Sequence, residues 1–376
     1  MAINYMEKHA AKIDEAFAAA SVTDRAVNKD YDFTGVRTVK VHSVPTVPMG
    51  DYKASGANRY GTPNELEDAV QELTMVPDRS FTFTVDRGNS DDDTALNAGT
   101  ALRRQIDQEI VPEVDRYRFA RMAAEAGAAT YGAIKGTGAA GPYERILDLQ
   151  AAMDDAHAPR AGRLLFVTSG FYKALKLDAN FIKAGDVAQG MLASGQIGEV
   201  DGLPVFRDEG RLPVGVDLLI AHPIATTAPW KLSEYRQHTD PPGINGVLVE
   251  GRNRFDAFVL DNKRGALATH RSAKIILKAV NEAGETGATR VAAVEGAQVL
   301  SGSAGVAMGT LCYKADASDI AETALGADIS NKAIYPEMQL GEDIAAASGA
   351  KMRVYLKDRH GRLIGESVQF NAVLGA

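Results

Sequence analysis

"SDDDTALNAGTALRRQIDQEIVPEVDRYRFARMAAEAG", residues 90–127, carries the longest helical signal in the chain. Leu102, Ile106, Ile110, Val114, Tyr117 and Arg121 recur at spacings of four and three, which lines one side of a helix. Ser90 and Asp91 to Asp93 suit its start, where side-chain oxygens and negative charge complement exposed N–H groups, and Gly127 suits its stop. At 1.5 Å per residue, roughly 35 residues make a rod of about 50 Å. Pro112 lacks an N–H and its ring crowds the preceding turn, so the rod is expected to kink or divide there. Arg103, Arg104, Arg116, Arg118 and Arg121 give it a basic side. Asp107, Glu109, Glu113 and Asp115 lie among them, so this side reads as a solvated, charge-balanced face.

Upstream, "VKVHSVPTVPMGDYKASGANRYG", residues 39–61, opens as a strand and runs into a long loop rich in proline and glycine. Met49, Tyr52 and Tyr60, with Arg59 beside them, sit in that loop with no apparent core to cover them. In "SFTFTVDR", residues 80–87, Phe81, Phe83 and Val85 alternate with Thr82 and Thr84, a period of two. Residues 36–85 therefore read as an extended β-ribbon around a polar tip. A two-stranded ribbon is marginal in water, so it must lie on something. Residues 3–20 read as a first helix, with Ile3, Met6, Ala10, Ile13 and Phe17 on one face. The arm "SVTDRAVNKDYDF" separates this helix from local partners. Its stripe either folds back on its own domain or docks on another subunit.

Downstream of the rod, "GTGAAG", residues 136–141, matches a dinucleotide fingerprint in letters only. A helix precedes it and Pro142 follows, so it reads as a link and not as a nucleotide site. From Tyr143 the texture is α/β. An amphipathic helix, "ERILDLQAAMDDA", leads to a buried strand, "RLLFV", and Thr168 and Ser169 offer a cap to the helix "FYKALK". "IGEVDGLPVF" reads as strand–turn–strand about Asp201–Gly202, "VDLLIAHP" as a buried strand, and residues 247–270 as two or three antiparallel strands. Past Ser272 the composition shifts to Ala, Gly and short β segments. The final hairpin, residues 351–370, turns around Asp358 to Gly361, so the tail from about 275 reads as a separate small β domain of about 100 residues.

The 376 residues exceed one ordinary core, and 45% apolar with 24% charged residues describes a globular chain. A net charge of −8 argues against a protein that grips nucleic acid over a broad basic surface. One cysteine, Cys312, rules out a disulfide framework, and the N-terminal stretch has no apolar run of signal-peptide type. No segment has the roughly 20 apolar residues of a membrane helix. The seven histidines are scattered, with no two at metal-ligand spacing. Ser169, after a strand, lacks the G-x-S-x-G elbow, and the neighbours Asp154 and Asp155 diverge on a helix. No catalytic, cofactor-binding or metal site is expected.

"YDFTGVRTVKVHSVPTVPMGDYKASGANRYG", "ALRRQIDQEIVPEVDRYRFA", "IGEVDGLPVF" and "PPGINGVLVEGRNRFDAFVLDNKRGAL" resemble, in wording and order, the major capsid proteins of tailed bacteriophages of the Hong Kong 97 fold. The resemblance spans roughly residues 1–272. It implies an α+β capsid fold: an N-terminal arm over 1–35, an extended E-loop over 36–88, and a peripheral domain over 89–139 and 229–272 that holds the spine helix. An axial domain would cover 140–228, with an added immunoglobulin-like β-sandwich over 275–376. It also implies self-assembly into pentamers and hexamers of an icosahedral head around double-stranded DNA, in a virion built in the host bacterial cytoplasm. Scaffolding, portal and possibly decoration proteins are the implied partners, with no cofactor and no membrane. Ile13, Phe17, Met49, Tyr52, Arg59 and Tyr60 are the expected inter-subunit contacts. The alternatives are an encapsulin-type shell around cargo enzymes, and a soluble α/β enzyme with a β accessory domain.

Overall fold

The long helix forms, and Pro112 is absorbed without dividing it. In the computed structural model, helix α1 (Ala98–Gln105) passes through a π turn at Ile106–Ile110 into α2 (Val111–Ala124). The Val111 N–H donates to the carbonyl of Ile106, five residues back. This widened turn comes just before the proline, which then sits in the first turn of α2, where its missing donor is not needed. The structure describes residues 21–375 except 32, 34–35, 45, 57, 63–64, 66–67, 88–97, 135–140, 179–195, 209, 240, 286–287, 298–307, 346 and 348. The predicted first helix with Ile13 and Phe17, the predicted start of the rod, and most of the glycine-rich link lie outside the described residues.

Along the body, the chain forms β1 (Thr38–Ser43), β2 (Ala69–Thr74), β3 (Asp78–Asp86), the long helix, β4 (Ala128–Tyr131), α3 (Pro142–Asp155), β5 (Leu164–Val167) and α4 (Ser169–Leu177). It continues with β6 (Gln196–Val200), β7 (Leu203–Arg207), β8 (Val216–Ala221), β9 (Thr226–Thr227), β10 (Trp230–Thr239), β11 (Gly246–Phe255), β12 (Phe258–Val259) and β13 (Leu267–Arg271).

Helix α2 is a wedge between two sheets, which is why it is apolar on more than one side. One side of the long helix buries Ile106, Val114 and Tyr117 against Val249 and Phe255 of an antiparallel sheet ordered β10–β11–β3. On the other side, Phe119 and Met122 pack on Phe166 and Leu219 of a six-stranded sheet ordered β4–β13–β8–β5–β7–β6. The far face of that sheet is covered by Ile146, Leu149 and Met153 of α3 and by Phe171 and Leu175 of α4. Leu165 and Val167 face these helices while Phe166 faces α2, the alternation of a strand buried on both sides.

Several local readings hold. The Thr168 side chain accepts from the Phe171 N–H and caps α4. Asp201 and Gly202 turn with positive φ between β6 and β7. Three expectations are corrected. Phe81 to Val85 do form a strand, but β3 pairs with β11 and leaves the ribbon; the return strand of the ribbon is β2, paired antiparallel with β1. The ring of Phe81 lies across Gly251, where an added Cβ would come within 2.2 Å of it, so the glycine permits this pairing. Strand β13 does not stay with β10 and β11. It enters the six-stranded sheet between β4 and β8, so residues 229–272 serve both sheets. Finally, the basic side of the rod is not simply solvated: Arg118 is only 2% exposed.

The C-terminal strands are β14 (Ile275–Ala283), β15 (Ala288–Glu295), β16 (Thr310–Asp316), β17 (Asp343–Ala345), β18 (Lys351–Lys357), β19 (Leu363–Ser367) and β20 (Phe370–Asn371). The expected last hairpin is β18–β19. Strand β14 changes partners midway: residues 275–277 run parallel to β19, and 278–283 pair antiparallel with β15. Ile275, Leu277, Val291, Met352, Val354 and Ile364 form the core of this unit. It is not isolated, because Ala120 of α2 belongs to the same cluster.

His270 on β13 is fully buried and its Nδ1 is 2.9 Å from the Thr130 hydroxyl. Burial, then the charge of Arg145, pushes its pKa down to about 4. The folded state thus holds the proton less readily than the unfolded chain. The stability from a neutral His270 is complete above the unfolded pKa of about 6.5 and is lost as pH falls towards 4, by at most ~1.4 kcal/mol per pH unit. Urea unfolding is expected to show wild type losing about 1.6 kcal/mol between pH 6.5 and pH 5 through this group. His270→Gln should remove that part of the slope; an unchanged slope refutes the assignment.

Candidate assembly surface

The ribbon has two faces and two fates. On its inner face Val39 stands opposite Leu73 and Val41 opposite Gln71. Leu73 and Met75 pack with Phe33, Phe258 and Leu260, and the rings of Phe33 and Phe258 stack at 5.6 Å. Gln71 fixes the ribbon to β12 and the segment after it in the same chain by donating to the Val259 carbonyl at 3.0 Å and accepting from the Asp261 N–H at 3.0 Å. Below the ribbon, the buried Asp256 carboxylate accepts from the Val76 N–H (2.9 Å), the Ala257 N–H (2.7 Å) and the Tyr117 hydroxyl (2.6 Å), which ties the ribbon exit to α2. Burial raises the pKa of Asp256 and, with that carboxylate, of Tyr117. The outer face is polar, with Lys40 paired to Glu72 at 2.7 Å and His42 to Asp68 at 2.5 Å.

The base of the ribbon therefore rests on its own chain, and so does β3. Only part of the ribbon expected over 36–85 is thus left to lie on something else: the described residues of 44–68 are all exposed. There Val44 is 69% exposed, Met49 101%, Tyr52 57% and Tyr60 92%. The tip has an internal order of its own. Lys53 N–H donates to the Arg59 carbonyl at 2.9 Å, and Gly61 N–H to that of Asn58 at 2.9 Å. Gly56, Asn58 and Gly61 take positive φ, the conformation that lets so short a turn close. The turn brings Tyr52 and Tyr60 edge to face at 5.1 Å, with the Arg59 Nε 3.3 Å from the Gly56 carbonyl. Of the six expected contact residues, Met49, Tyr52, Arg59 and Tyr60 thus share one exposed tip. Ile13 and Phe17 lie outside the described residues. Covering a large apolar side chain contributes about 1.5–3 kcal/mol, so the tip offers several kcal/mol to whatever buries it.

Sequence reasoning missed the anchor from which the N-terminal segment departs. Asp115 is fully buried and accepts from Ser21 Oγ (2.7 Å), Thr23 Oγ1 (2.5 Å), Val22 N–H (3.0 Å) and Arg211 Nη1 (2.5 Å). One helical turn on, Arg118 donates to Asp24 at 2.6 Å and to Thr23 at 3.0 Å. Asn28 continues the attachment, with its side chain donating to the Pro223 carbonyl (2.8 Å) and accepting from the Thr227 hydroxyl (2.7 Å). Charges spaced along a helix look the same whether water or another segment satisfies them, so no sequence signal marked this clamp.

The chemistry elsewhere is sparse. A shallow cleft of about 530 Å³ on the three-stranded sheet is lined by Ser80, Thr82, Glu234, Arg236, Glu250 and Arg252. Its charges already pair: Arg252 with Asp78 at 2.6 Å and Arg236 with Glu234 at 3.3 Å. Among the described residues no three His, Cys, Asp or Glu side chains are grouped to hold a metal ion, and no helix is long and apolar enough to cross a membrane. Cys312 is buried, and burial pushes its thiol up to about 11.

No family model matches the sequence, and no curated protein matches it. Solved structures do. A structure from Mycobacterium phage Che8 is 18% identical, with 66% of this chain and 90% of that one covered at a TM-score of 0.56. The mature capsid of bacteriophage PhiM1 is 10% identical, with 67% and 87% covered at a TM-score of 0.50. The chain therefore has the α/β fold found in phage capsid structures.

The anchor and the tip make opposite predictions for the isolated chain. Asp115→Ala removes one partner of a buried charge cluster and is expected to cost about 3–5 kcal/mol in chemical denaturation. Tyr52→Ala combined with Tyr60→Ala should change stability by less than about 0.5 kcal/mol, as for ordinary surface sites. A large loss in the tyrosine variant would mean that the tip packs on its own subunit.

Proposed function

We propose that the chain is the major capsid protein of a tailed bacteriophage, a structural protein that self-assembles into the pentamers and hexamers of an icosahedral head around double-stranded DNA. The observation that carries this reading is the exposed aromatic tip on an anchored ribbon, in a chain with a phage-capsid fold. A monomer gains nothing from displaying Met49 and Tyr60 to water. A chain that meets further copies of itself can bury them in every contact.

In this reading residues 1–35 are an arm leaving the Asp115–Arg118 clamp, and 36–88 contain the extended E-loop, whose free part is 44–68. The long helix and β10–β11 belong to a peripheral domain, and residues 140–228 to an axial domain near the symmetry axes. The C-terminal unit over 275–376 is an addition, with an immunoglobulin-like sandwich as its proposed class. Scaffolding and portal proteins are the expected partners during assembly in a bacterial cytoplasm, and the virion is the final location. The net charge of −8 suits a wall that encloses DNA without holding it, because phosphate affinity grows with each basic contact.

Electron microscopy and size-exclusion chromatography of the purified protein test the proposal. Closed megadalton particles or capsomers are expected, and a small oligomer would leave the soluble enzyme as the better account. Removal of residues 50–61 should leave a folded subunit that no longer forms closed shells. Normal particles from that deletion would refute the role given to the tip. A phage head is told from an encapsulin-type compartment by its contents after assembly in the native host: packaged DNA in the first, a cargo enzyme in the second.

A further inference from the structure

The turn of the β18–β19 hairpin, Asp358 to Gly361, leans on the body of the chain: Asp358 and Gly361 are buried, while Arg359 and His360 keep an exposed side. Asp358 accepts from the Tyr131 hydroxyl on β4 through Oδ2, and from the N–H groups of His360 and Arg362 through Oδ1, both at 2.9 Å. The His360 Nε2 donates to the Ala126 carbonyl at 3.1 Å, just past the end of α2. Arg271, 1% exposed, donates to the Ala123 carbonyl at 3.4 Å within the last turn of α2, and its charge senses Asp358. Of the carbonyls that the helix end leaves unsatisfied, that of Ala123 is met by Arg271 of β13, and the Ala126 carbonyl just beyond the helix is met by His360 of the C-terminal hairpin.

Shape fits as well as charge. Gly326 lies so close to the Tyr131 ring that an added Cβ would come within 2.7 Å of it, and Tyr131 also packs against the apolar core of the C-terminal unit. The connection is short and held. Only Ser272, Ala273 and Lys274 separate β13 from β14, the Ser272 N–H donates to the Gly215 carbonyl at 3.0 Å, and Ala273 leaves no room for a Cβ on Gly215.

We infer that the C-terminal unit is a fixed part of the folded body, locked at one angle to the end of the long helix by the Tyr131–Asp358–His360 junction, and not a decoration on a hinge. Any surface it carries is then presented in one orientation by every copy. This stands whether or not the chain builds a shell.

Hydrogen exchange on the full-length chain tests it, with wild type and variants compared in the same assembly state. Asp358→Ala should speed exchange about tenfold or more in residues 119–126 and 272–275, outside the C-terminal unit itself, and Tyr131→Phe should act in the same places by about threefold. Asp343→Ala, which breaks the Arg290–Asp343 pair (2.8 Å) inside the unit, should leave both segments at the wild-type rate. If Asp358→Ala does not fold, Tyr131→Phe alone decides. Wild-type exchange at 119–126 in the decisive variant overturns the inference, and so does an unprotected 272–275 segment in wild type.

Discussion

A carboxylate with no access to water must have its charge and lone pairs met by the protein, and Asp115 meets that demand with four donors from two distant segments. Leaving such a group unpaired costs several kcal/mol, so the cluster forms as a whole or not at all. It therefore fixes three things together: the rotation of α2, the path of residues 21–24 along it, and the loop carrying Arg211. The rotation matters most. It turns Tyr117 towards Phe255 (5.7 Å) and Phe119 towards Phe166 (5.0 Å), so that one helix serves as core for both sheets. Apolar packing alone is tolerant of small rotations and slides; a buried hydrogen-bonded charge is much less so.

The ribbon follows from the same frame. Tyr117 reaches Asp256, Asp256 receives Val76, and Val76 is the residue after the buried Met75 at the end of β2. The orientation of the helix is thereby passed to the ribbon through two hydrogen bonds. Beyond Ser43 and Ala69 the strand pairing ends, and short turns order the described residues of the tip. The polar outer face of β1–β2, with Lys40–Glu72 across the strands, keeps the ribbon from sticking along its whole length. Met49, Tyr52 and Tyr60 stand exposed at the far end, which would give the proposed contact a definite address.

Much of this was legible in the sequence, and the gaps have physical causes. Periodicity gave the long helix, the strand at 80–85 and the final hairpin, because each depends on neighbours within a few residues. Thr168 and the Asp201–Gly202 turn were readable for the same reason. The partner of β3 was not, since alternation specifies a strand and a face but not what lies beside it. Gly251 was the one trace of that pairing, and its meaning appears only when Phe81 is seen across it. Arg118 and Asp115 were misread as solvated because a helix face does not say what covers it. The kink expected at Pro112 became a π turn, an insertion that the sequence pattern tolerates without losing its apolar side. At the candidate site, Met49, Tyr52, Arg59 and Tyr60 could be named in advance as residues without a core. That their ribbon had local support could not.

Helix α2 is held at two levels by two arginines of different logic. Arg118 carries its charge to Asp24 on the arm, near the middle of the helix; Arg271 brings its own from β13 to the helix end, with Asp358 of the C-terminal unit near by. Both arginines are at most 2% exposed, so the segments that cover them are held by electrostatics as well as by contact area. Arm, body and C-terminal unit are consequently coupled through α2, whereas the tip at 44–68 has its own small turn. Under the proposed function, stability and association are thus assigned to different residues. A change in the tip alters what the subunit can meet while leaving the body folded. A change at Asp115 or Asp358 acts on the frame that holds every outward-facing part at its angle. A subunit that must meet several neighbours at set angles needs this separation, because a contact surface can be adjusted only if the frame beneath it does not move in response.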